Sequence, residues 1–94
     1  MNVEELKKEL EKLISELTAS GFAGIDSGTL EKLDKYAAAA ANLGMKEGSK
    51  LIENLSGAMK AIKEGKSQAG SGDIRLTALD FYVKKLSDGK TEDL

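Results

Sequence analysis

Between Gly28 and Lys66 two amphipathic patterns follow one another with only Leu43-Gly44-Met45 between them, and both turn their apolar side the same way. Leu30, Leu33, Ala37, Ala40, Ala41 and Gly44 share one arc at helical periodicity, with Tyr36 and Leu43 at its margin. Met45, Gly48, Leu51, Ile52, Leu55, Ala58, Met59 and Ile62 share the next arc, opposite Lys46, Lys50, Glu53, Lys60 and Glu64. A glycine at the junction can take the left-handed conformation that stops a helix, so the stretch reads as a kinked helix or a tightly turned antiparallel pair. Neither half can bury its stripe alone, and the rest of the chain has to cover it.

The flanks carry the matching pattern. Val3, Leu6, Leu10, Leu13, Ile14 and Leu17 form one stripe; Asn2 is placed to cap it, Glu4 and Glu5 suit the positive end of the helix dipole, and Ser20-Gly21 ends it. Phe22, Ala23 and Ile25 are expected to plug the end of a bundle, and Asp26 and Ser27 are candidate caps for the second helix. The run Gly65-Lys66-Ser67-Gln68-Ala69-Gly70-Ser71-Gly72 has the composition of a mobile loop. Asp73 is expected to cap a last helix whose inward stripe is Leu76, Leu79, Val83 and Leu86.

The fold class is therefore all-α: a compact, four-helix, bundle-like single domain over residues 1–94. Its helices are expected over 3–20, 28–43, 46–64 and 74–87, with a flexible loop over 65–72 and a frayed tail over 88–94. Ninety-four residues fit one core of ordinary size and are too few for two.

Chemistry is constrained mostly by what the chain lacks. Without histidine or cysteine there is no hydrolytic triad, thiol nucleophile, zinc site of the usual ligands, or imidazole for phosphotransfer. The carboxylates fall mostly on polar helix faces, and neither the Glu31/Asp34 nor the Glu92/Asp93 pair comes with a cleft or an acid–base partner. Gly65-Lys66-Ser67 ends like a phosphate-binding loop, but Ala61 stands where the first glycine belongs and no strand precedes it. The expected reading is a protein that is not an enzyme and has no cofactor or metal.

Fourteen basic and sixteen acidic residues give no overall field for nucleic acid. A surface of Lys46, Lys50, Lys60 and Lys63 is the one nucleic-acid alternative, interrupted by Glu47, Glu53 and Glu64. The charged N-terminus resembles neither a signal peptide nor a membrane span, so a cytoplasmic location without membrane insertion is expected.

What remains is apolar surface beyond the simplest stripes. Ala38 and Ala39 widen the apolar zone of the second helix, and Ile74, Ala78 and Phe81 point to a second side of the last one. These five residues form the candidate contact surface of a protein–protein interaction or regulatory accessory module, for an unidentified partner or for self-association as a structural homo-oligomer. The competing reading is that they complete a tightly packed monomer or a simple homodimer. The two readings differ over whether Phe81 is exposed.

Overall fold

The computed structural model describes residues 1–22 and 25–87. The expectations for Ala23 and for a frayed tail over 88–94 lie outside the described residues. Four helices follow in order: α1 Val3–Ser20, α2 Ser27–Asn42, α3 Lys46–Lys63 and α4 Ala69–Ser87. They form an all-α bundle in which α1 packs on α2 and α4, and α3 packs on α2 and α4. The backbones of the diagonal pairs, α1 with α3 and α2 with α4, lie farther apart.

The starts of α1 and α2 and the ends of α2 and α3 have local causes. At the start of α1 the Asn2 carboxamide oxygen accepts from the Glu5 amide at 2.8 Å, while the Asn2 amide donates to the Glu5 carboxylate at 3.2 Å. This reciprocal arrangement satisfies two amides that the helix itself leaves unpaired. Asp26 opens α2 by accepting from the Thr29 amide at 2.8 Å and the Thr29 hydroxyl at 3.0 Å. The amide first, then the hydroxyl, holds the Asp26 carboxyl below the usual aspartate range.

The junction between α2 and α3 is a tight turn. Gly44 has φ of +79°, the Met45 amide donates back to the Ala40 carbonyl at 2.9 Å, and the Gly44 amide donates to the Ala41 carbonyl at 3.1 Å. That pair of bonds stops a helix by using its last free carbonyls, and Met45 is buried beside it. The same pattern closes α3: Gly65 has φ of +76°, Lys66 donates to Ala61 at 2.8 Å and Gly65 donates to Ile62 at 3.1 Å. Gly65 is therefore a helix stop, which accounts for it without any phosphate.

Two buried serines stitch the α2–α3 seam. Ser49 Oγ donates to the Ala37 carbonyl at 2.9 Å, and Ser56 Oγ donates to Asp34 Oδ1 at 3.1 Å. Ala37 and Ala40 keep that seam narrow enough for side chain to reach backbone. Leu33, Ile52, Leu55, Met59, Leu79 and Val83 fill the centre together with Leu6 and Leu10 of α1. Phe22 closes one end, as expected of a plug, with Ile25 half-buried against the core.

The last helix departs most from the sequence expectation. It begins at Ala69, so residues 69–72 of the expected 65–72 loop are helical, and Asp73 lies inside the helix instead of capping it. The reason is Gly72, which faces inward: a Cβ there would stand 2.9 Å from Ile62 Cδ1 and 2.9 Å from Phe22 Cζ. Helical Gly70 and Gly72 each cost on the order of 1 kcal/mol relative to alanine. Burial of the Phe22 ring, a side chain of about 1.5–3 kcal/mol, offsets that cost.

Gly57, by contrast, lies on the exposed side of α3 with open space where a Cβ would be. No bend or contact requires it. Gly57→Ala is expected to stabilise the fold by about 0.5–1 kcal/mol, read as a higher urea midpoint at unchanged slope. A lower midpoint would show that the glycine has a role the packing does not reveal.

Candidate functional site

α4 is apolar on two sides, and the bundle uses only one of them. Leu76, Leu79, Tyr82, Val83 and Leu86 are buried against α1 and α3. At about 100° per residue, Ile74, Ala78, Phe81 and Lys85 fall in one row on the far side. Ile74 is 66% exposed and Phe81 63% exposed, and Ala78 between them is exposed as well. Phe81 is thus a surface residue.

The row has charged edges. The Lys85 ammonium sits 4.8 Å from the centre of the Phe81 ring, within the distance at which a cation is attracted to an aromatic face. Lys84 pairs with Asp80 at 3.0 Å, one turn apart along the adjacent side, where Asp73 and Thr77 also lie. Thr77 Oγ1 donates to the Asp73 carbonyl at 2.8 Å. Sequence reasoning singled out the apolar members of this face and missed its ionic edge, although the i, i+4 spacing of Asp80 and Lys84 is visible in the sequence.

Ala38 and Ala39 are placed elsewhere. Both are on α2, diagonally across the bundle from α4, with Ala38 exposed and Ala39 half-buried against the core. The structure brings Ile74, Ala78 and Phe81 together and leaves the two alanines on another helix.

The lysines of the alternative surface are partly engaged. Lys60 lies 3.6 Å from Asp34 Oδ2 and Lys63 donates to Ser27 Oγ at 3.2 Å, both reaching back to α2. Lys46 and Lys50 are exposed on the outer side of α3.

The hydroxyls of Ser49, Ser56 and Tyr36 are also engaged. Ser49 and Ser56 bond across the α2–α3 seam, and the Tyr36 hydroxyl donates to Glu9 Oε2 at 3.3 Å. Burial, and then the neighbouring Glu9 carboxylate, pushes the Tyr36 phenol above its usual range, so it stays protonated at neutral pH. Among the described residues no group of three acidic, histidine or cysteine side chains could hold a metal ion, and no helix is long and apolar enough to cross a membrane.

These features describe a small all-α domain without a recognisable catalytic or metal-binding signature among its described residues. Set against protein-family models, curated proteins and solved structures, the chain matches none of them.

Proposed function

We propose that this domain is a non-enzymatic protein–protein interaction module of the regulatory accessory kind, with the outer face of α4 at the centre of its contact surface. One observation carries the reading: two large apolar side chains, Ile74 and Phe81, stand about two-thirds exposed on one row of a helix whose opposite side is fully engaged in the core. Isolated exposed apolar residues are ordinary, but a row of them on one helix face is the form in which helices present anchors to a partner. Phe81 supplies an aromatic anchor, and Ala78 beside it lets another backbone come near.

The test is a photo-cross-linking amino acid placed at position 81, compared with the same group at exposed Lys32 on α2. Adducts specific to position 81 are the expected result, and they should be lost on adding Ile74→Asp while the circular dichroism of the helices is retained. Equal yields at the two positions would overturn the assignment of α4 as the contact face.

A further inference from the structure

We propose that the occupant of this face is a second copy of the same chain, with the two α4 helices packed antiparallel about a two-fold axis beside Ala78. The inference rests on the reading of α4 as a contact face and names what covers it.

The argument is the symmetry of the row and of its charges. Ile74 comes four residues before Ala78 and Phe81 three after. An antiparallel two-fold pair centred on Ala78 therefore brings Ile74 of one copy within one residue, about 1.5 Å along the axis, of Phe81 of the other, twice, and places the small Ala78 side chains at the closest approach. A two-fold interface has to be self-complementary in this way, each residue finding its opposite number on the other subunit.

The charged edge obeys the same symmetry. In an antiparallel pair, equivalent sides of the two helices face each other, so the side carrying Asp73, Thr77, Asp80 and Lys84 meets its own copy running in reverse. Asp73 then falls beside Lys84 of the other subunit, and Thr77 beside Asp80. Two intersubunit ion pairs result, and the Lys84 ammonium, already against Asp80 at 3.0 Å, can bridge both carboxylates.

At the ends of the row Lys85 faces Gly70 and Ser71 of the other copy. Gly70 has open space at its Cβ position, which leaves room for the long lysine chain. A parallel pair would instead set Lys85 against Lys85 at the end of the apolar row, a like-charge contact. The antiparallel arrangement avoids it.

One helix face is small beside the roughly 1,200–2,000 Å² of a stable interface, so the dimer is a reversible one, with a dissociation constant on the order of 100 µM.

Sedimentation equilibrium from roughly 10 µM to 1 mM reads it directly, with the mass rising from one chain toward two. Two charge reversals give the decisive arm. Asp73→Lys alone sets lysine against Lys84, and Lys84→Asp alone sets aspartate against Asp73, so each variant by itself should associate about tenfold more weakly than the parent. Mixing the two variants restores both ion pairs and should return association to within about twofold of the parent. Circular dichroism of each variant checks that the helices persist.

A parent that stays a single chain at 1 mM, or a mixture no tighter than its components, overturns the proposal. The cross-linker at position 81 separates this failure from failure of the surface itself. An adduct of two copies of this chain supports the dimer; an adduct only with another protein overturns the self-partner and leaves the contact face standing; no specific adduct overturns both.

Discussion

Leu55→Ala is expected to lower the unfolding free energy by about 3 kcal/mol, within the range of about 2–5 kcal/mol found for buried leucines. In a chain of this size that corresponds to a fall of roughly 12–24 °C in melting temperature. Leu55 is 0% exposed and lies on α3, the helix that packs on both α2 and α4. Truncation there removes apolar burial and leaves a hole where two seams meet. Neither neighbouring helix can close it without opening its own contacts. Urea unfolding followed by circular dichroism measures the loss, and Leu51→Ala, at a half-buried position on the same helix, should lose clearly less. A change below about 1 kcal/mol at unchanged slope would mean that Leu55 is not in the core described above.

The second large effect comes from adding atoms. A Cβ on Gly48 would stand 2.8 Å from Tyr82 Cε2 and 2.9 Å from its hydroxyl oxygen, because the Tyr82 ring lies directly on the α3 backbone. Gly48→Val is expected to destabilise by about 2–3 kcal/mol, the upper part of the range for overpacked sites, despite removing a helical glycine. The rigid ring cannot swing aside as a flexible chain end could. A double-mutant cycle with Tyr82→Leu tests the cause: the two changes together should cost at least about 1 kcal/mol less than their sum. Strict additivity would place the cost in the backbone and not in the ring. Gly57, nine residues on, has no neighbour within 4 Å of its Cβ position, which is why Gly57→Ala is expected to act in the opposite direction.

Leucine and isoleucine stripes located α1, α2 and α3 closely, and Gly44 marked the turn between α2 and α3 because a left-handed position there calls for glycine. The start of α4 was hidden because its inward-facing residue is Gly72, which contributes nothing to an apolar periodicity even though Phe22 and Ile62 pack on it. Gly48 falls within the apolar arc of α3, and what packs on it is the Tyr82 ring. Ser49 and Ser56 belong to no apolar stripe, and their burial follows from partners, a backbone carbonyl and a carboxylate, that only the folded pair brings near.

For the candidate contact face, the sequence showed that α4 has more apolar residues than one stripe needs. It did not show which side would be covered. That choice depends on the size and spacing of the groups on α1 and α3, which seat Leu79, Tyr82 and Val83 and leave Ile74 and Phe81 outside. Ala38 and Ala39 carried the same kind of signal on α2, but two methyl groups on a helix diagonal to α4 do not extend its row.

The three-residue turn at Leu43-Gly44-Met45 also bears on the sequence in which the molecule assembles. α2 and α3 can meet after closing almost no chain, and their serine and lysine bonds lie along one antiparallel hairpin. The seam between α1 and α4 joins opposite ends of the polypeptide and must wait for everything between them to collapse. That hairpin is thus expected to be the folding nucleus, and the terminal helices the part that docks last and loosens first.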